Sequence, residues 1–273
     1  MKSQYKVING KGFVPEGTTM IDNCAFSGNQ ELKEMVIPDS VRVIGDFAFR
    51  DTGLEKIKIP SSIARIGVGV FSYCPHLTQL KIDDNNPYYH SHFGDALIDT
   101  EYNILIQGCN EFGLHSNVTT IGKFAFAGCK RLKTIVLPQV TRIEENAFID
   151  CTNLECVVLP NSLRTIGNYA FSDCCRLTKV YMPDGIIEIG DNAFYGCSDL
   201  KSITIPDSVE RIGKKAFDCC FNLEEITIND ESLLKDADVP PQIEREKMKE
   251  CLIQLDKELE TLIEKYLSEK DAK

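Results

Sequence analysis

The chain has 273 residues, of which 43% are hydrophobic and 26% are charged, the usual balance of a folded soluble protein. Its 30 lysines and arginines against 41 aspartates and glutamates give a net charge of −11, which repels phosphate backbones and excludes nucleic acid as a general partner. No apolar run of about 18 residues occurs, so no membrane span is expected.

The N-terminal segment up to Phe13 lacks the apolar central region of a secretory signal. We therefore expect a cytoplasmic protein, unless a leader precedes this sequence in the natural gene product. Residues 1–13 are predicted to form an N-terminal cap, because the open edge of a sheet must be covered.

A repeated motif follows the cap, and its copies align on a phenylalanine. The spacings are 23 and 22 residues, then a gap of 55, then 22, 23, 23 and 23. A fixed period in the twenties predicts a stacked solenoid. The eight aligned positions are Phe26, Phe49, Phe71, Phe126, Phe148, Phe171, Phe194 and Phe217.

Each copy carries further recurrent positions, as in the stretch IGVGVFSYCPHLTQLKI at 66–82. An isoleucine–glycine step precedes the phenylalanine, a cysteine usually comes three residues after it, and Leu-x-x-φ-x-φ follows, where φ is apolar. The alternation in φ-x-φ predicts a short strand with one buried face, and a proline usually ends that strand. One copy cannot bury its apolar face alone, so the copies are predicted to stack as a parallel sheet.

Joined together, these positions read as Leu-x-x-φ-x-φ followed by IP-x-S-V-x-x-IG-x-x-AF-x-x-C. This pattern resembles the BspA-like class of leucine-rich repeat proteins, and the resemblance extends from about Phe13 to Asn229. It implies a leucine-rich repeat solenoid, with a curved parallel β-sheet and short turns or helical returns, over residues 1–229.

The long gap contains an enlarged unit at about residues 83–118. Its Asn-Pro-Tyr-Tyr run at 86–89 is similar to a motif of the longer interrupting unit found in that family. We predict a hairpin there, with strands at Ala96–Ile98 and Ile104–Gln107 around the turn Thr100–Asn103.

The array is followed by a predicted linker at residues 230–240 and a predicted amphipathic α-helix at residues 241–273, which is charged, free of glycine and opened by Pro241. Apolar residues spaced by four and three predict a heptad seam. The seam consists of Met248, Leu252, Leu255, Leu259, Leu262 and Tyr266. Such a helix either caps the last strand or joins two chains; we predict a homodimer through the seam.

The chain has twelve cysteines but no Cys-x-x-Cys, which argues against a zinc ribbon or a thioredoxin-like redox site. The cysteines at the repeat position are predicted to form a column of buried thiols, because free cysteine packs as a small hydrophobe. The alternative is a set of disulfides. Cys175 and Cys219 lie beside this column and are expected to be the more reactive thiols.

No catalytic constellation is recognised, since no phosphate-binding glycine loop, Gly-x-Ser-x-Gly or His-Glu-x-x-His motif occurs. A weak metal candidate combines His90 and His92 with Cys109 or His115. We predict that the protein is not an enzyme and needs no cofactor or metal.

Function in a solenoid usually lies on the strand face that points away from the core, here the third and fifth positions of Leu-x-x-φ-x-φ. A basic patch and an apolar patch stand out at these positions, and their side chains are expected to point to solvent. β-Branched residues also suit a strand without any binding role. The predicted partner-binding residues are Lys56, Lys58, Lys81, Val136, Cys156, Val158, Lys179 and Tyr181.

These features predict a non-enzymatic protein–protein interaction module that binds a protein of unknown identity on the concave strand face. The family resemblance implies adhesion or host-protein binding for surface-exposed members. One alternative is therefore a surface adhesin whose signal sequence has been removed. The other is an intracellular scaffold dimerised by the C-terminal helix.

Overall fold

The computed structural model of the protein describes residues 5–91, 96–109, 117–137 and 139–240. The predicted C-terminal helix, with its six seam residues, lies outside these ranges. A 3₁₀ helix is present at Glu231–Leu234. The strands are β1 (Lys6–Ile8), β2 (Lys11–Phe13), β3 (Met20–Ile21), β4 (Glu34–Val36), β5 (Val43–Ile44), β6 (Lys56–Ile59), β7 (Arg65–Ile66), β8 (Gln79–Ile82), β9 (Tyr89–His90), β10 (Ala96–Asp99), β11 (Ile104–Gly108), β12 (Thr120–Ile121), β13 (Thr134–Val136), β14 (Arg142–Ile143), β15 (Cys156–Val158), β16 (Thr165–Ile166), β17 (Lys179–Tyr181), β18 (Glu188–Ile189), β19 (Ser202–Thr204), β20 (Arg211–Ile212) and β21 (Glu225–Thr227).

A regular repeat contributes two parallel strands rather than the one that was predicted. The longer strand is the predicted Leu-x-x-φ-x-φ strand, so that β15 pairs in parallel with β13 and β17. The second strand is two residues long and contains the isoleucine of the isoleucine–glycine step, so that β16 pairs with β14 and β18. A strand of two residues is too short to show an alternation of apolar and polar side chains. The sequence pattern therefore did not reveal this second ladder.

The phenylalanine lies in a turn between the short strand and the next long strand. The Phe148 N–H donates to the Ala170 carbonyl at 2.8 Å, and the Phe171 N–H makes the same bond to Ala193. Rings of successive repeats stack with centroids 4.9–5.8 Å apart on both sides of the enlarged unit. All eight rings are buried, so the predicted stacking of the repeats is confirmed.

The backbone on both sides of each phenylalanine is left-handed in most repeats. Tyr169 and Asp173, two residues before and after Phe171, have φ of 55° and 59°. Residues with a Cβ adopt this conformation rarely. Its recurrence shows that hydrogen bonds to the adjacent repeat hold the turn in a shape that the isolated chain would avoid.

The glycine of the isoleucine–glycine step is required by a close approach between repeats. A Cβ at Gly190 would lie 2.6 Å from the backbone nitrogen and the Oδ1 atom of Asn168. That Oδ1 accepts a hydrogen bond from the Asp191 N–H at 2.9 Å, and the Asp191 carboxylate accepts one from the Lys214 N–H at the same distance. Glycine thus makes room for a ladder of side-chain oxygens that links successive repeats.

A β-hairpin covers the N-terminal edge of the long-strand ladder. Strands β1 and β2 are antiparallel, and β2 pairs in parallel with β4. The turn between them is Asn9-Gly10, with φ of 50° and 78°, the conformation that a two-residue hairpin turn requires.

Part of the segment predicted as a linker packs against the last repeat. Leu234 and Ala237 are buried in the same core cluster as Phe217. The Phe217 N–H donates to the Ala237 carbonyl at 3.1 Å, in the place where another repeat would supply the acceptor. This segment therefore caps the phenylalanine side of the solenoid.

The enlarged unit begins with an asparagine that is buried against the preceding repeat. The Asn86 amide donates to the carbonyls of Pro60 at 2.9 Å and Ile63 at 3.1 Å. The Tyr89 hydroxyl accepts a hydrogen bond from the Ile66 N–H at 3.0 Å. Tyr89 thus satisfies an N–H of β7, and Asn86 satisfies two carbonyls in the turn that precedes that strand.

The predicted hairpin of the enlarged unit is observed, with β10 and β11 antiparallel and β11 paired in parallel with β12. On the phenylalanine side, hydrogen bonding between repeats continues across the enlarged unit, because the Tyr73 N–H donates to the Ala127 carbonyl at 2.8 Å. The phenylalanine turns before and after the enlarged unit are therefore joined directly.

The buried rings should dominate stability. Phe171→Ala should lower the free energy of unfolding by about 3–5 kcal/mol, because it leaves a cavity in a filled core. Phe221→Ala is the matched control, since that ring is 69% exposed; it should cost under about 1 kcal/mol. Equal losses in denaturant titrations of the two variants would contradict the stacked core.

Candidate binding face

The strand face consists of the outward side chains of the long strands, at the third and fifth repeat positions. In the N-terminal half it carries Val36, Lys56, Lys58 and Lys81, all exposed. Lys58 and Lys81 are direct partners in the register of β6 and β8. The three lysines of the predicted basic patch are therefore brought together on the outward face, as expected.

Two of the three lysines have acidic partners. Lys56 Nζ lies 3.3 Å from a Glu34 carboxylate oxygen, and Lys58 Nζ lies 3.0 Å from Asp83. The Asp83 carboxylate raises the pKa of Lys58, and Lys58 in turn lowers the pKa of Asp83. The patch is therefore a mixed charged surface and not a purely basic one.

These side chains line an open groove of 660 Å3 along the outward side of β4, β6 and β8. Val36 is 60% exposed. Charged side chains that line the same groove include Lys58, Asp39 and Asp83. An exposed apolar side chain beside charged ones fits the mixed composition of a protein-binding surface.

The predicted apolar patch is present, but its side chains do not point into open solvent. Cys156, Val158 and Tyr181 are each about 5–6% exposed and form a separate cluster, with a half-buried Val136 packed against it. The expectation that Val158 and Tyr181 are solvent-exposed is therefore wrong. Strand alternation assigns a side chain to a face but does not say whether the face is covered. Lys179, at the edge of this patch, is exposed.

The cysteines at the repeat position form the predicted buried column. The Cys197 thiol donates to the carbonyl of Phe171, one repeat earlier, at 3.2 Å. The same bond, at 3.0–3.3 Å, is made by Cys74, Cys151, Cys174 and Cys220. The column thus satisfies a buried carbonyl in each of these repeats, a role that the sequence pattern did not indicate.

Burial keeps these thiols protonated. It raises the pKa of Cys151 and Cys197 well above the usual thiol value, and the pKa of Cys220 to about 12. Cys175 and Cys219 are half-buried beside the column. Desolvation and the nearby Asp173 also raise the pKa of Cys175, which disfavours its reactive thiolate.

The candidate metal residues are only partly within the described ranges. His90 Nδ1 lies 3.2 Å from the Thr100 hydroxyl, Cys109 is buried, and His92 and His115 fall outside. Over residues 5–91, 96–109, 117–137 and 139–240, no three His, Cys, Asp or Glu side chains are grouped as a metal site. Nor does that part of the chain contain a helix long and apolar enough to cross a membrane.

A family model of the BspA type leucine rich repeat region matches residues 10–98 and 106–224 in six copies. A leucine rich cell surface protein from Faecalibacterium prausnitzii has a similar structure, with 30% identity and a TM-score of 0.74. The match covers 83% of this chain and 62% of that one, so the chain spans less than two thirds of its relative. The pneumococcal vaccine antigen PcpA shares the fold at 18% identity and a TM-score of 0.54, over 88% of this chain and 74% of that one. The curated proteins give no match.

The buried thiols should make the protein less stable in alkali. A thiol whose pKa is raised by folding contributes stability that is complete below the unfolded pKa of about 8.5 and is lost as the pH rises towards the folded value. Each such thiol adds up to about 1.4 kcal/mol per pH unit to this loss. The column thiols with raised pKa values are Cys74, Cys129, Cys151, Cys174, Cys197 and Cys220.

Cys197→Ala should therefore make the free energy of unfolding fall less steeply with pH between about pH 9 and 10.5. The slope should change by about 1.4 kcal/mol per pH unit, which corresponds to the one proton that this thiol retains only in the folded state. The change is measured by denaturant titrations at each pH. Cys24→Ala, at an exposed position, is the control and should leave the slope unchanged. Identical slopes for wild type and Cys197→Ala would show that this thiol is not held protonated by the fold.

Proposed function

This chain belongs to the BspA-type leucine-rich repeat family, and we propose that it is a non-enzymatic module that binds a protein on the strand face of its N-terminal half. The observation that carries the proposal is the exposed Val36 in an open groove edged by Lys58, Lys81 and Asp83. The groove is wide and open to solvent. Such a shape suits an extended protein surface better than a small molecule, which needs enclosure.

The rigidity of the repeat stack supports this proposal. Strands β4, β6 and β8 are paired in parallel, and their inward side chains are buried in one core cluster. The backbone of such a ladder is held in a fixed position, so little backbone entropy is lost on binding. Val36 supplies apolar area on β4, while Lys58 and Lys81 on the next two strands supply orientation and steering.

The charged groups of the groove support binding rather than acid–base chemistry. The mutual effect of Lys58 and Asp83 on their pKa values keeps both charged near neutral pH. A general acid or base instead needs a pKa near the working pH. The ionised pair is suited to recognise a partner that carries both signs of charge.

A surface adhesin is the second candidate, and the relative described as a cell surface protein favours it. In this case the same groove would bind a protein outside the cell. Protease treatment of intact cells of the source organism, followed by detection of this chain, separates the two locations. Digestion supports the adhesin, and full protection supports the predicted cytoplasmic location.

The binding face is tested by a photo-crosslinking amino acid placed at Val36 or, as the control, at Val68. Both valines are exposed, and Val68 follows the short strand β7 on the other ladder. We expect position 36 to capture a specific protein and position 68 not to capture it.

The captured protein then serves as the ligand in a titration. Val36→Glu should weaken its binding by about 10-fold or more, because a charge replaces an exposed apolar side chain of the groove. Val68→Glu should leave the affinity unchanged. Capture that is equal from both positions, or binding that is insensitive to Val36→Glu, would overturn the proposal.

A further inference from the structure

The outward face of the N-terminal long strands is basic, although the chain as a whole has a net charge of −11. Strands β1, β2, β4, β6 and β8 form one sheet, and each contributes two side chains to this face. The ten side chains are Lys6, Ile8, Lys11, Phe13, Glu34, Val36, Lys56, Lys58, Gln79 and Lys81. Five lysines and a single glutamate therefore give this part of an acidic protein a local excess of positive charge.

The equivalent strands of the C-terminal half do not share this charge. Strands β13, β15, β17, β19 and β21 provide the same repeat positions, and only Lys179 and Glu225 are charged there. Lysine is not favoured in strands for its own sake. The positive charge is therefore a property of the N-terminal repeats and not of the repeat pattern.

Only two of the five lysines are neutralised by neighbouring carboxylates. Lys56 and Lys58 have the acidic partners described above. Among the residues that the structure describes, no carboxylate forms an ion pair with Lys6, Lys11 or Lys81. These three ammonium groups are available to a partner of opposite charge, which would be attracted to this face over a distance.

Three exposed apolar side chains are interleaved with the lysines. Ile8, Phe13 and Val36 are 54%, 46% and 60% exposed. Phe13 and Val36 are direct partners in the register of β2 and β4, and Lys6 lies opposite Phe13 on β1. A phosphate polymer has no apolar groups to cover such side chains, whereas a protein has. The combination favours an acidic protein segment over a nucleic acid.

One row of outward side chains has the length of a short extended peptide. The row crosses the sheet as Lys6, Phe13, Val36, Lys58 and Lys81. It spans four strand spacings of about 4.8 Å, or about 19 Å. An extended chain advances about 3.3 Å per residue, so about six residues cover the row.

We propose that the partner of the N-terminal strand face is an acidic protein segment with interspersed apolar residues, which lies extended across the strands. Its apolar side chains pack on Phe13 and Val36, and its carboxylates pair with Lys6 at one end and Lys81 at the other. This inference rests on the proposed function, because it names the chemistry of the partner for the same face.

A flat anionic surface such as a lipid bilayer matches this face less well. Asp39 lines the groove together with Lys58 and Lys81, and Asp84 lies beside the same two lysines. Both aspartates are exposed. A bilayer would bring its phosphates against these carboxylates, whereas a single peptide can pass between them.

The composition of the partner is tested by selecting binders to the full chain from a random peptide library displayed on phage. Counter-selection on the Val36→Glu variant removes peptides that bind other surfaces. We expect the selected peptides to be enriched in aspartate and glutamate and to contain aromatic or aliphatic residues. Selected peptides without an excess of acidic residues, or the absence of any binder that requires Val36, would overturn the proposal.

A charge reversal on the face tests the selected peptides in titrations. Lys81→Glu should weaken their binding by about 10-fold or more, and added salt should weaken their binding to the wild type. Lys214→Glu is the matched control, because it makes the same change of charge at an exposed lysine that follows the short strand β20. It should leave the affinity unchanged. Equal losses in the two variants would show an attraction to net charge alone and would contradict the proposal.

Two further measurements separate this inference from its alternatives. Vesicles that contain phosphatidylserine should not co-sediment with the protein, and co-sedimentation that is lost in Lys81→Glu would assign the face to a membrane instead. If the protein captured through position 36 binds Lys81→Glu as tightly as the wild type, the charge assignment fails while the proposed binding face stands. Failure to capture any protein at position 36, together with failure to select any peptide, would overturn the proposed function as well.

Discussion

The register between repeats rests on the phenylalanine turn. A hydrogen bond such as Phe148 N–H to the Ala170 carbonyl fixes one repeat on the next, and the stacked rings fill the space between them. The left-handed residues on either side and the thiol that reaches the phenylalanine carbonyl both follow from this geometry. Each repeat is therefore specified by its contacts with its neighbours, as expected for a protein whose single repeats cannot fold alone.

The interior of the fold was predictable from the sequence because it repeats. Phe171, Leu177 and Cys174 recur at fixed spacing and are buried as expected. The two-residue strands were missed, because they are too short to show alternation. The reason for glycine in the isoleucine–glycine step was also missed, since the contact of Gly190 with Asn168 spans two repeats.

The outward face was less predictable than the core. Alternation placed Lys58 and Val158 on the same face correctly, but it carries no information on what else packs there. The pairing of Lys58 with Asp83 joins a strand residue to the start of the enlarged unit. Val158 is buried in a cluster with Cys156 and Tyr181 on the neighbouring strands. Neither the ion pair nor the burial is encoded in the apolar alternation of one strand.

The enlarged unit shows why a solenoid tolerates such breaks. The turn ladder continues from Tyr73 to Ala127 at 2.8 Å, and the Tyr73 hydroxyl donates to the Asp150 carboxylate at 2.6 Å, one repeat further on. Gly108 lies so close to the Phe126 ring that a Cβ at this position would overlap it. Contacts between neighbouring repeats fix the interior of each repeat but leave its outward positions free to vary. The same valine position is 60% exposed at Val36 and 5% exposed at Val158, so one repeat pattern supports outward faces of different accessibility.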